Sequence, residues 1–146
     1  MEPRLNAYKA APDAIRALAT LESTVKTLGI DARLLDLIKL RASQINGCAY
    51  CVDMHAGELR KTGETERRID ALSVWRDTPF FTGRERAALA WTEAITRLSE
   101  THAPDEDYEM LKSEFSEREM VNITLAIATI NSWNRISVGF RTMPTT

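Results

Sequence analysis

The sequence predicts an all-α domain, and three observations carry that reading. Apolar residues recur at three- and four-residue intervals along most of the chain, without a convincing run of the alternation that marks a strand. Glycines and an Asn-Gly pair fall just after the apolar stripes end, where residues tolerant of the left-handed conformation stop helices. Two capping boxes, Thr82-x-x-Glu85 and Ser116-x-x-Glu119, open further helical runs.

The expected bundle has about six to seven helices. The first covers about 12–28, with Ile15, Leu18, Leu21, Val25 and Leu28 on one face and Gly29 after its end. Asp31 caps a second that runs to about Ile45. Its Leu34, Leu37, Ile38, Arg41 and Ile45 share a stripe, widened by Leu35 and Leu40. Asn46-Gly47 is the stop. A third helix begins near Cys48 and runs to about Thr62, with Gly63 behind it. A short fourth, about 65–74, leads into the irregular "WRDTPFFTG". Thr82 opens a fifth through about Ser99, Asp105 caps a sixth to about Phe115, and Ser116 opens a last one to about Val138. That helix is apolar on more than one face, through Met120, Val121, Ile123, Leu125, Ile127, Ile130, Trp133 and Ile136. Such a helix belongs at the centre of a core or under another subunit. In a small helical chain both are expected, hence an oligomer; the alternative is a helix buried wholly within its own chain.

The 146 residues suffice for one domain with a substantial core, and 44% hydrophobic with 27% charged residues is ordinary for a globular protein. The 19 basic and 21 acidic residues are interleaved and sum to −2, which disfavours nucleic acid as a partner. The N-terminal "MEPRLNAYKAAPDAI" lacks the apolar stretch of a secretory signal. The apolar "MVNITLAIATINSWNRISVGF" contains Asn122, Asn131, Asn134 and Arg135, against a membrane span. A cytoplasmic protein is expected. There a close cysteine pair is catalytic or metal-binding more often than a structural staple.

Both cysteines lie in "INGCAYCVDMH", as Cys48-x-x-Cys51-x-x-x-His55. On a helix these three share one edge. With Gly47 ending the preceding helix, Cys48 stands at the mouth of the next and Cys51 in its first turn. Unpaired N–H groups and the helix dipole favour a thiolate there. His55 can accept the thiol proton or stand as imidazolium beside the sulfur. Its four-residue spacing reaches Cys51 more readily than Cys48, nominating Cys51 as nucleophile and Cys48 as resolving thiol. Side-chain origins three apart on a helix are about 5–6 Å apart, wider than a disulfide, but Cys48 at the first position can rotate inward to close the gap. Two other readings use the same atoms. Cys48, Cys51 and His55 can hold zinc with His102 or a carboxylate as fourth ligand, although no second C-x-x-C or H-x-x-x-H completes a four-ligand pattern. Alternatively the cysteines are small core residues beside a solvated histidine.

The string "LLDLIKLRASQINGCAYCVDMHAGELRKTGETERRIDAL", residues 34–72, resembles the core of alkylhydroperoxidase D-like proteins, within the carboxymuconolactone decarboxylase-like superfamily. "FTGRERAALAWTEAITRL" and "FSEREMVNITLAIATINSWNRISV" resemble later segments of its short members, so the likeness covers about 30–140. The resemblance implies an all-helical fold over a single domain, 1–146, with its core motif at 34–72. It also implies a homo-oligomer, trimer or hexamer, and thiol-based reduction of organic hydroperoxides or hydrogen peroxide in an antioxidant role. In the family the second cysteine attacks peroxide and the first resolves the sulfenic acid, matching Cys51 and Cys48. The following histidine maps onto His55. Lactone decarboxylases of the superfamily lack the cysteine pair. No bound cofactor is expected; an external thiol or dithiol, for which the family's best-known source is a lipoyl carrier protein, reduces the disulfide. The family's relay glutamate, twelve residues before the first cysteine, is here Asp36. It is one methylene shorter, about 1.5 Å, a gap that roughly one bridging water can span. The plain alternative for Asp36 is a surface ion pair with Arg33 or Lys39.

Other residues read more plainly. Ser43 is expected to bond its own helix backbone. Tyr50 and Met54 are pocket or packing residues, and Trp75, Phe80, Phe81 and Trp133 either wall the same pocket or, as is favoured, fill the core or a subunit interface. His102 and the mixed-charge "KTGETERRID" read as solvated. The functional alternatives are a general thiol-disulfide oxidoreductase or redox-sensing module, and a non-catalytic metal-binding oligomer.

Overall fold

Apolar side chains at 34, 35, 37, 38 and 40 cover three sides of one helix, so that helix has to be surrounded. In the computed structural model, which describes residues 1–145, it is. The described residues form nine α-helices and no strand. They are α1 (Ala7–Ala10), α2 (Pro12–Val25), α3 (Ala32–Ile45), α4 (Ala49–Lys61), α5 (Glu66–Ala71), α6 (Gly83–Thr96), α7 (Leu98–Thr101), α8 (Asp105–Glu114) and α9 (Glu117–Phe140). A 3₁₀ segment, Leu72–Asp77, follows α5 and is kinked at Val74.

Helix α3 is the hub, packed by α4, α6 and α9. Leu34 and Ile38 join Trp91, Leu111, Ile123 and Ile127 in one apolar cluster. Leu37 and Leu40 join Leu59, Leu72, Trp75 and Leu89 in a second. Leu35 meets Val25 and Ala126 in a third. Two charged side chains are carried inside with α3, and each finds a partner. Arg41 Nε donates to Glu93 at 3.0 Å, and Glu93 also takes the Trp75 indole N–H at 2.8 Å. Lys39 pairs with Glu22 of α2. Burying a charge without such a partner costs several kcal/mol, on the order of 3–5.

Both capping boxes form, with Thr82 and Ser116 accepting from the N–H groups of Glu85 and Glu119. Several expected boundaries shift. Helix α2 ends at Val25 rather than Leu28, because Lys26–Leu28 close a tighter turn before Gly29 at φ 87°. The helix expected through Ser99 breaks after Thr96: Arg97 leaves helical geometry, and the Thr101 hydroxyl reaches back to the Ala94 carbonyl. Pro104, not Asp105, precedes α8, and Asp105 instead adds its charge to the first turn. Short α1, capped by Asn6, was not anticipated; four residues carry no apolar period.

Helix α9 lies in the core along Ile123, Ala126, Ile127 and Ile130, while Val121 and Val138 are exposed. Trp75 and Phe81 are core residues, and Phe80 packs against them. The "KTGETERRID" segment is not wholly solvated. Glu64 is buried because its carboxylate takes both the Arg68 guanidinium and the Thr65 N–H, and Ile69 enters the core. Among the described residues no helix is long and apolar enough to cross a membrane.

Candidate active site

The α3–α4 corner is built by three small sequence features. Gly47 turns the chain at φ 65°, a conformation that costs an ordinary L-residue about 1–2 kcal/mol. Asn46 tethers the turn to α9, its Nδ2 donating at 2.9 Å to both Asn131 and Asn134. Asn134 in turn donates at 3.0 Å to the Ser43 hydroxyl, which bonds the Lys39 carbonyl as its helical position suggests. Cys48 is then the N-cap of α4, its Sγ accepting the Cys51 N–H at 3.2 Å.

Cys48 and Cys51 are joined as a disulfide, with Cα atoms 5.3 Å apart, inside the normal span of such a bond. Both are almost fully buried, but they face different surroundings. Cys51 lines a partly open cavity of about 600 Å³, together with His55, Asp36, Glu22 and Lys39. Cys48 is not in its lining. Tyr50, Met54, Trp133 and Tyr8 supply the aromatic and thioether part of the wall, which places Tyr50, Met54 and Trp133 beside the thiol pair.

His55 is not a solvated histidine. It is 7% exposed, and neither ring nitrogen has a hydrogen-bond partner. Burial, reinforced by the Lys39 ammonium, pushes its pKa down to about 4; Glu22 and Glu58 pull the other way, and Lys26 adds to the depression. The imidazole is therefore neutral at pH 7, a proton acceptor rather than a standing cation. Asp36 lines the same cavity, half-buried, and burial holds its carboxyl above the usual carboxylate range. Neither anticipated ion pair forms: Lys39 turns to Glu22, and Arg33 donates to the Thr62 carbonyl.

Thus the structure gathers Cys51, His55 and Asp36 on one cavity, with Cys48 directly behind Cys51. His102 is exposed after α7, in a left-handed conformation. Among the described residues, no three of His, Cys, Asp and Glu converge as metal ligands. Of the charged residues on the cavity, Glu22, Lys26 and Glu58 escape the sequence analysis, and Lys39 enters it only as a surface partner for Asp36. For Glu22 the signal is present: it stands four after Leu18 and three before Val25, inside the apolar stripe of its helix. A carboxylate at that spacing faces inward.

Comparison with known proteins identifies the family. The sequence profile of the carboxymuconolactone decarboxylase family matches residues 12–94. The chain is 41% identical to the uncharacterized protein YdfG of Bacillus subtilis over 139 residues, covering 95% of each. A crystal structure from Agrobacterium tumefaciens, of a protein of unknown function provisionally named for antioxidant defence (AhpD), superposes with a TM-score of 0.97. It is 50% identical over 99% of both chains. A shorter match, 44% over 43 residues, is to the alkyl hydroperoxide reductase AhpD of Maricaulis maris; it covers 30% of this chain and 25% of that protein. Profile, relatives and fold agree with one another: the chain belongs to the carboxymuconolactone decarboxylase family and is of its alkylhydroperoxidase D-like type.

Proposed function

We propose that the protein is a thiol-dependent peroxidase reducing organic hydroperoxides or hydrogen peroxide in antioxidant defence. The observation that carries this reading is the placement of Cys51 on a cavity beside a buried, neutral and unpartnered His55, with Cys48 bonded behind it. In the reduced enzyme His55 takes the Cys51 thiol proton. The thiolate attacks the nearer peroxide oxygen, the O–O bond breaks, and the leaving oxygen collects the proton from His55 as alcohol or water. Cys51 is left as a sulfenic acid. The Cys48 thiol condenses with it, releasing water and forming the disulfide seen here. Two electrons and two protons from an external dithiol, such as a lipoyl group on a carrier protein, restore both thiols. Asp36, on the same wall, is a relay carboxyl that communicates through a bridging water.

The cavity's size and its aromatic wall support an organic peroxide over a purely aqueous one. We further propose cytoplasmic action as a homo-oligomer, trimer or hexamer, in which a second copy covers the exposed Val121 side of α9; light scattering at micromolar concentration measures the subunit number.

The test is single-turnover consumption of cumene hydroperoxide by the reduced protein. Wild type consumes one equivalent and loses two thiols. Cys48→Ser consumes one equivalent without forming the intramolecular disulfide, and Cys51→Ser consumes none. Fast disulfide exchange with slow peroxide consumption would instead identify a general thiol-disulfide oxidoreductase. Stoichiometric zinc with no titratable thiols would identify a metal-binding oligomer.

A further inference from the structure

Proton transfer from Cys51 puts a positive charge on His55 in a buried place, and that charge needs a counter-charge. Asp36 is a poor one, since burial favours its neutral form. Glu22 is better placed. Its side chain enters the cavity from α2, and one carboxylate oxygen is bonded to Lys39 while the other, Oε2, is buried without any partner. His55 offers the complementary deficit, with two buried nitrogens and no acceptor. The Lys39 side chain is 3% exposed, and the ion pair fixes Glu22 against α3. Besides Cys51 and His55, the titratable groups on this cavity are Tyr8 of α1, Glu22 of α2, Lys26 just after that helix, Asp36 and Lys39 of α3, and Tyr50 and Glu58 of α4. Among the carboxylates, Glu22 acts on His55 most strongly.

We infer that Glu22, held in place by Lys39, is the positioning carboxylate for His55, stabilising the imidazolium that forms when Cys51 loses its proton. This rests on the peroxidase reading for its role in turnover. The step balances simply. The Cys51 S–H bond breaks with its electron pair left on sulfur, an N–H bond forms on His55, and Glu22 neither gains nor loses a proton. Lys39 has two effects of its own, opposing protonation of His55 and favouring an anion in the cavity. A Glu22→Gln change alone therefore frees a cation that can mask the loss by favouring the thiolate. The double variant Glu22→Gln/Lys39→Met removes the pair together and leaves the cavity without that cation.

The experiment is the pH profile of iodoacetamide alkylation at Cys51, in reduced Cys48→Ser protein. The alkaline rise is expected to lie about one pH unit higher in Glu22→Gln/Lys39→Met than in Lys39→Met alone, a roughly tenfold slower reaction on the low-pH limb. Glu22→Asp, which keeps the charge, stays near the parent profile. A double variant with the same profile as Lys39→Met overturns the proposal. A second readout does not depend on that variant: the His55 imidazole titration followed by NMR. Its midpoint, about 4 in the parent, falls in Glu22→Gln and rises in Lys39→Met; an unmoved midpoint in both overturns the proposal. Cumene hydroperoxide left unconsumed by wild-type protein would overturn the peroxidase reading instead, while a shifted alkylation profile would still support Glu22 as the partner of His55.

Discussion

The sulfur of Cys48 lies 3.2 Å from the backbone nitrogen of Cys51 and accepts its N–H, taking the place that a serine or aspartate oxygen holds in an ordinary N-cap. The two cysteines therefore have different jobs in the fold before any chemistry is considered. Cys48 caps the start of the helix and lies buried outside the cavity lining, whereas Cys51, one turn further on, borders the cavity. The proposed cycle uses that asymmetry, giving attack to Cys51 and resolution to Cys48.

The tether from Asn46 to α9 holds this corner. Asn134→Ala removes an acceptor for Asn46 and the donor to Ser43, both inside the protein. The expected cost is about 1–3 kcal/mol of stability, read from urea unfolding of the oxidised protein. Cys51 alkylation in the reduced variant should also slow, since the turn that presents α4 is no longer fixed. A variant as stable and as reactive as wild type would separate the asparagines from the site.

Gly47→Ala tests the turn itself. The added methyl meets no atom, so the whole penalty is conformational, at φ 65°. A loss of about 1–2 kcal/mol is expected, again from urea unfolding, and a loss much larger than this would mean that the corner is crowded.

His55 makes stability depend on pH. Its folded pKa, about 4, lies below the ordinary 6.5, so the unfolded chain binds the proton more readily across that interval. Stability is full above pH 6.5, declines as the pH falls toward 4, and flattens below. The 2.5-unit gap corresponds to about 3 kcal/mol at one unit per 1.36 kcal/mol. His55→Gln should remove that part of the acid slope, measured as unfolding free energy at several pH values.

Asp36 has the opposite sign. Burial raises its folded pKa, so its contribution is present below the ordinary carboxylate pKa and is lost as pH rises through the folded value. Asn carries no ionisable group, so Asp36→Asn should raise the melting temperature at pH 7 while changing little at pH 3. The same variant should slow Cys51 less than removal of Glu22 does.

The helices around the site were legible because their signals are local: two capping boxes, the Asn-Gly stop, and apolar stripes at 15–25 and 34–45. The thiol pair and its histidine were legible for the same reason, since three residues on one helix declare their geometry by spacing alone. What the sequence hid was relational. Lys39 reads as a surface partner for Asp36 until α2 lies against α3, and only then does Glu22 become the closer carboxylate. The solvated reading of His55 fails likewise, because the walls that bury it come from α2, α3 and α9, far away along the chain. Glu64 resembles any charged loop residue until Arg68 folds back onto it.

In the proposed cycle the Cys51 Sγ, on the cavity, is the atom that meets the peroxide. In reduced Cys48→Ser protein given one equivalent of cumene hydroperoxide and a sulfenic-acid-trapping dione, peptide mass spectrometry should find the adduct on Cys51 in nearly all molecules. Reduced Cys51→Ser protein should carry none on Cys48 in the same time. An adduct on Cys48 forming as fast as the Cys51 reaction, or no adduct on Cys51 at all, would contradict the account.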